Sequence, residues 1–407
     1  SLNNSHKCAI LHLFRLGIKM SIHKKIVSPI LDRLDSEYMH TKARETLHIV
    51  SESTLGIGMQ VLKRFAFQDP RLQITVEGIT FDNPVLVGAG WDKYGEAVRG
   101  LLALGFGGVE VGTVPEHPQN GNPKPRQFMI ADGVAINRLG FNSPGMEKVA
   151  HILNQYKGEN LPIGISLGQN KDVTPENAAG AHARVMDRLY EYGKYFVINV
   201  SSPNTPGLRG LQSKKPLTEI VKAVLKAMKT KGRMKPLFVK IAPDLENSAI
   251  DDVIDVVTET GISGIIATNT TLDAKYKGKY AITDSRILQV DESGKKRNWG
   301  MEMGGLSGDD AGFRNRSTEI IRYIYTQARK KGVKLIIIGV GGVKDGPTAV
   351  EKIKAGASLV QVVTAIRGEG PAVAGNINRG IVKELKMLGL SHVAELVGYD
   401  VKKSNGK

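Results

Sequence analysis

The chain of 407 residues is 41% hydrophobic and 24% charged, which suits one large α/β barrel with an appendage and a packed core. Its 56 Lys and Arg against 40 Asp and Glu leave a formal charge of +16. That balance suits anionic partners such as nucleic acid, acidic lipid or phosphorylated small molecules; with aromatics at 6% and no basic run interleaved with them, no nucleic-acid partner is expected.

The lone cysteine, Cys8, excludes an intrachain disulfide and a Cys-based metal site, and points to a reducing compartment. Residues 1–31 carry Lys7, Arg15, Lys19, Lys24 and Lys25, with no acid before Asp32. Residues 8–18 are apolar but too short to span a bilayer, and no run of 18 apolar residues occurs in the chain. Residues 1–21 therefore read as a targeting remnant, a surface anchor or an unstructured leader, and the acid-free start favours a mitochondrial over a bacterial membrane.

Residues 22–68 read as helical. Ile22, Ile26, Ile30, Leu31 and Leu34 recur at helical spacing, with Pro29 as a possible kink. A second apolar series follows at Leu47, Val50, Leu55, Met59, Val61, Leu62 and Phe65, broken at Ser53, Gly56 and Gly58. Basic flanks leave two readings open: a helical pair docked on the main domain, or a membrane-facing lid. Residues 72–83 alternate around Glu77-Gly78 and predict a hairpin.

From residue 85 short apolar runs alternate with helical periodicity. The runs are 85–90, 108–113, 163–168, 195–201, 237–242, 264–269, 335–341 and 359–364, and the helices 94–104, 145–156, 175–192, 217–230, 248–260, 312–331, 346–355 and 371–388. Continuous β-branched runs suit strands buried on both faces, and eight β-α units predict a (β/α)8 TIM barrel over 69–400, with a doubly wound open sheet as the alternative. Residues 273–303 are polar, without periodicity, and read as a long surface excursion.

Barrel chemistry lies at the C-terminal ends of the strands. The first run ends in Gly88-Ala89-Gly90-Trp91-Asp92-Lys93, where small residues let a flat ring approach the backbone. The fourth ends in Asn199-Val200-Ser201-Ser202-Pro203-Asn204-Thr205, an amide and hydroxyl cluster that is costly beyond a buried strand unless something binds it, although turn chemistry accounts for part of it. Lys240 inside an apolar strand needs an anion or hydrogen-bond partner, unless it snorkels to the rim. Thr268-Asn269-Thr270-Thr271 adds polarity after the sixth. Gly304-Gly305-Leu306-Ser307-Gly308, Gly339-Val340-Gly341-Gly342 and Val363-Thr364 form glycine-rich turns where barrels commonly bind phosphate. Together these imply a phosphate-bearing planar cofactor and a small polar substrate. The histidines show no paired ligand spacing, so no metal site is expected.

The motifs G-A-G-W-D-K at 88–93, N-R-L-G-F-N at 137–142, N-V-S-S-P-N-T at 199–205, V-K-I-A-P-D-L at 239–245, T-N-T-T at 268–271, G-G-L-S-G at 304–308 and G-V-G-G-V at 339–343 resemble dihydroorotate dehydrogenases of the quinone-dependent class. The resemblance runs from about residue 22 to the C-terminus, and the helical segment 22–68 matches that class's quinone-tunnel extension. It implies FMN as cofactor, dihydroorotate as electron donor, orotate as product, and a membrane quinone as acceptor. It also implies peripheral attachment to an inner membrane through the N-terminal helices.

By the same resemblance Ser202 matches the base that removes the substrate C5 proton while hydride leaves C6, with Thr205 as a candidate proton partner. Lys93, Asn137, Asn199, Asn204 and Asn269 match substrate contacts, with Arg138, Leu139, Gly140, Phe141 and Thr270 beside them. Lys240 matches the cation beside the flavin N1 edge. Ala89, Gly90, Thr113, Thr268, Ser307, Gly308, Gly341, Gly342 and Thr364 match FMN contacts, and Asn137, Ser166, Asn199 and Val363 stand at further cofactor-binding positions.

The chain departs from the family pattern in places. Ser166 stands where Asn is usual and Gln169 where Lys is usual; Val114-Pro115-Glu116 replaces the usual V-T-P order, and 273–303 is long. Met129 replaces a usual Arg and Val363 a usual Tyr, removing polar groups that would meet a quinone carbonyl. Two further readings are weighed against the leading one: a related flavin barrel using fumarate or NAD, and a barrel that binds flavin or a partner but has lost catalysis.

Overall fold

The computed structural model of the chain describes residues 35–53, 56–205, 207–280 and 302–404. The leader, the apolar series at Ile22–Leu34 and most of the 273–303 excursion lie outside the described residues.

Eight parallel strands close into a barrel in the order β10-β12-β13-β3-β4-β7-β8-β9. These are β3 (Val85–Val87), β4 (Gly108–Val114), β7 (Ile163–Leu167), β8 (Tyr195–Asn199), β9 (Leu237–Ile241), β10 (Gly264–Ala267), β12 (Ile336–Val340) and β13 (Leu359–Val362). Each is buried along its whole length, as expected for strands covered by side chains within and helices without. All eight expected runs are strands, and the barrel replaces the open-sheet alternative.

The helices start and stop where local chemistry directs. Asp310 accepts from the Phe313 amide at the start of Ala311–Lys330, and Asp345 and Thr348 form a capping box on Gly346–Ala355. Gly261, at φ 69°, ends Asn247–Thr260 in the left-handed region that favours glycine.

A hairpin, β1 (Ile74–Val76) with β2 (Ile79–Phe81), covers the N-terminal end of the barrel, where Val76 and Phe81 meet Tyr195 and Phe238. Over the opposite end lies a three-stranded antiparallel sheet of β5 (Gln127–Ala131), β6 (Val134–Asn137) and β11 (Gly305–Gly308). It has its own core of Phe128, Ile130, Val134, Ile136, Leu306 and Phe313. This sheet is absent from the sequence reading.

Two N-terminal helices, α1 (Ser36–Ser51) and α2 (Ile57–Lys63), dock on the barrel's flank, with the break between them close to the expected one. Leu47 seats so closely on Gly100 that a Cβ there would lie 2.5 Å from Leu47 Cγ. Ion pairs fix the dock. Arg126 grips Glu37 at 2.9 and 2.7 Å, Arg44 meets Glu96 at 2.6 Å, and Arg99 meets Glu52 at 2.7 Å. The excursion begins with a short helix, Ala274–Lys277, and buried Lys277 donates to the Glu302 carbonyl at 2.9 Å and the Gly304 carbonyl at 3.4 Å, tying its start to its end.

Candidate active site

A cavity of about 530 Å³ opens at the C-terminal ends of the barrel strands. Its wall has three sources. The strand ends contribute Ala89, Gly90, Lys93, Thr113, Asn199, Ser202, Asn204, Lys240, Thr268, Asn269 and Thr270; the turns after β12 and β13 contribute Gly341, Gly342, Val363 and Thr364. The antiparallel sheet and its following turn contribute Met129, Asn137, Leu139, Gly140, Phe141, Ser307 and Gly308. The N-terminal helices supply Met39, His40, Ala43, Thr46 and Leu47, with Phe65 just beyond α2.

A buried polar chain lines the floor. Ser166 and Thr113 pair their hydroxyls at 2.9 Å, and Asn199 Nδ2 donates to Thr113 Oγ1 at 2.7 Å. Asn199 Oδ1 accepts from the Ser201 hydroxyl at 3.0 Å, and Asn269 Nδ2 donates to Ser201 Oγ at 3.0 Å. Four strand ends are thereby locked in one network, which fixes each amide's free face. Asn204 Nδ2 donates to Asn137 Oδ1 at 3.3 Å, joining the β8 turn to the overlying sheet.

Ser202 is buried, and its Oγ accepts from the Asn204 amide at 3.3 Å. Thr205 is also buried, but its hydroxyl has no hydrogen-bond partner among the described residues, so the two are not directly linked. Ser166 sits behind Thr113 and off the cavity wall, because its short side chain reaches only the Thr113 hydroxyl. Arg138 also lies off the wall. Its guanidinium is committed to the Pro125 carbonyl at 2.8 Å and to Glu302 at 2.5 Å.

Lys93 donates to Asn142 Oδ1 at 2.9 Å, and burial pushes its ammonium down to about 7 despite the opposing charge of Glu37. His40 Nε2 lies 2.6 Å from the Trp91 carbonyl oxygen. Burial, then the charge of Lys93, lowers the imidazole to about 3 and keeps it neutral. Lys240 lies in the barrel mouth, 3.6 Å from Glu110. Glu110 receives a 2.5 Å hydrogen bond from Gln361, which also lines the cavity. Sequence reasoning missed Glu110 and Gln361.

The cavity fits FMN on its own geometry. Space at Gly90 is open, with nothing within 4 Å of a built Cβ. Thr268 Oγ1 and Thr270 Oγ1 are buried without hydrogen-bond partners among the described residues. Gly341 at φ 118° and Gly342 at φ 74° form a turn open only to glycine, suited to an anion approaching backbone amides. Ser307 and Thr364, 3.0 Å apart, bring two hydroxyls beside it.

Comparisons with known proteins agree with this geometry. The sequence profile of the family described as Dihydroorotate dehydrogenase matches residues 71–385. A relative from Natronomonas pharaonis, named dihydroorotate dehydrogenase (quinone), is 40% identical over 380 residues, covering 93% of this chain and 99% of its own. Another of that name, from Gloeobacter violaceus, is 41% identical over 375 residues, covering 92% and 98%. The crystal structure of DHODH from Eimeria tenella in complex with ferulenol superposes with a TM-score of 0.72 at 32% identity, covering 86% of this chain and 97% of that one.

Proposed function

The chain belongs to the dihydroorotate dehydrogenase family, and from that premise we propose how its cavity divides the reaction. It is an FMN-dependent oxidoreductase that oxidises dihydroorotate to orotate and delivers the electrons to a quinone, a step of pyrimidine synthesis. The fumarate and NAD alternatives fall away with the quinone-type relatives.

FMN, when bound, supplies the flavin that accepts hydride. In our reading Gly341 and Gly342, with Ser307, Gly308 and Thr364, would hold its phosphate, and Lys240, Thr113 and Thr268 would meet its ring edge. Ser166 serves it indirectly, by orienting Thr113. Dihydroorotate lies against Asn137, Asn199, Asn204 and Asn269, with its carboxylate toward Lys93 and the Leu139–Phe141 turn. Ser202 takes the C5 proton. Arg138 supports this end by bracing the sheet through Pro125 and Glu302. Thr205, whose hydroxyl has no partner among the described residues, passes the Ser202 proton onward through a water.

The observation that carries this reading is a single cavity walled on one side by the polar strand ends and on the other by α1. The quinone enters between α1 and the barrel, past Met39, Ala43, Met129 and Val363, where His40 and Gln127 are neutral polar groups on the wall. Among the described residues no helix is long and apolar enough to cross a membrane. Exposed Tyr38, Ile49 and Ile57, together with Lys63 and Arg64, give the N-terminal helices a mixed greasy and basic surface that suits peripheral attachment. The mitochondrial preference rests on residues outside the described ones and draws no support from relatives that are mostly bacterial.

The test is flavin absorbance in purified protein without oxygen. Dihydroorotate bleaches the flavin, and a short-chain ubiquinone restores it. Bleaching without recovery overturns the acceptor end at Met129 and Val363. No flavin and no bleaching favours the reading that catalysis is lost.

A further inference from the structure

Lys240 does not stand alone in the barrel. Its ammonium lies 3.6 Å from Glu110 Oε1, and both side chains are almost wholly inaccessible, at 4% and 0% exposed for the two residues. Gln361 Nε2 donates to the other carboxylate oxygen at 2.5 Å. The three come from β9, β4 and β13, so the group spans the barrel interior. Gly164 makes room for a neighbour: a Cβ there would lie 2.0 Å from Tyr195 Cζ, so the Tyr195 ring crosses the place a side chain would take. Burial, then the charge of Glu110, pushes that phenol well above its ordinary value, so it stays neutral.

A buried carboxylate is costly, and a well-packed apolar side chain would serve stability as well or better. The group also has an open end, because Lys240 and Gln361 both line the cavity while Glu110 does not. The carboxylate therefore acts on the cavity only through the two residues it holds. An isolated Lys240 would present a full positive charge to whatever ring lies against it. Paired with Glu110, it presents a dipole of fixed direction and nearly no net charge.

We propose that Glu110 is a positioning residue that holds the Lys240 ammonium and offsets its charge, and thereby sets the reduction potential of the bound FMN. This rests on the placement of the flavin edge at Lys240 given above. Reduction adds negative charge to the flavin ring, so a cation beside it raises the potential and an anion behind that cation lowers it.

The experiment is the midpoint potential of the FMN-loaded protein, measured by flavin absorbance against a reference dye, with FMN content and thermal stability recorded in parallel. Lys240→Met shifts the potential negative. Glu110→Gln, close in size to the native residue, shifts it positive. Introduced on top of Lys240→Met, the Glu110 change moves it much less, the coupling expected of two groups acting as one unit. If Glu110→Gln does not fold, Gln361→Leu removes the hydrogen bond that steadies the carboxylate and shifts the potential in the same direction by less. An unchanged potential in a fully loaded Glu110→Gln protein, with only its melting point lowered, overturns the proposal and leaves Glu110 a framework residue. An equal shift in both backgrounds overturns the route through Lys240. A Lys240→Met protein with the wild-type potential instead overturns the placement of the flavin edge.

Discussion

The side-chain amide of Asn199 donates to the Thr113 hydroxyl at 2.7 Å, and Thr113 in turn pairs with Ser166 at 2.9 Å. One hydroxyl thus orients an amide on the cavity wall and satisfies a serine behind it.

Thr113→Val removes the middle of this chain and orphans two buried polar groups. Each costs about 1–3 kcal/mol, so the melting temperature falls by several degrees and purified protein carries less than one FMN per chain. Wild-type stability with full flavin would mean that Thr113 orients nothing.

Ser202→Ala is expected to retain FMN, because the proposed division of the cavity sets Ser202 at the substrate end. Reduction by dihydroorotate slows by about 10²-fold or more, the usual contribution of a positioned base. Rapid-mixing absorbance measures this directly, and near-normal bleaching would remove Ser202 from the role of base.

Lys93 gives a pH dependence of known sign. Its ammonium is lowered from the ordinary 10.5 to about 7 by burial. Between those values the unfolded chain binds the extra proton, so this residue's contribution to stability rises with pH from about 7 toward 10.5, and below 7 its penalty is fully present. A substrate carboxylate beside Lys93 restores its proton. Dihydroorotate binding at pH 8 therefore takes up a proton, detected by calorimetry in two buffers of different ionisation enthalpy, and Lys93→Met abolishes the uptake.

Glu37 latches α1. Burial raises its carboxyl, but the hydrogen bonds and charge of Arg126 prevail and hold it below the ordinary range. Its stabilising contribution is therefore present above that ordinary range and lost as pH falls through its lowered value. Glu37→Ala leaves Arg126 buried without its carboxylate, at about 3–5 kcal/mol by the behaviour of such pairs. The expected result is faster proteolysis between α1 and the barrel and a raised KM for quinone, with flavin reduction by dihydroorotate little changed. Equal damage to both half-reactions would contradict the division of the cavity.

The barrel is legible in the sequence because strands buried on both faces leave unbroken runs such as Ile163–Leu167 and Ile336–Val340. The observed β3 and β10 end just before Gly88 and Thr268, within the expected runs 85–90 and 264–269. The sheet of β5, β6 and β11 is not legible. Its strands are four or five residues long, and Leu306 finds its partner Ile136 across much of the chain, a pairing no local pattern encodes. Glu110 is a different omission. The argument that singles out Lys240, a charge inside an apolar strand, applies equally to Val109-Glu110-Val111. Ser166, which stands where the family usually has Asn, proves to lie behind the wall, and Thr205 lacks a direct bond to Ser202, because sequence position does not fix where a short side chain points.

Lys277, bound to the carbonyls of Glu302 and Gly304, clamps the two ends of the long excursion together within the folded body. The clamp joins the helix Ala274–Lys277 to the chain that leads into β11, so the strand beginning at Gly305 is anchored over the cavity from its own N-terminal side. Lys277→Met is therefore a change outside the cavity that loosens part of the cavity's wall, because the two carbonyls it leaves lose their buried donor.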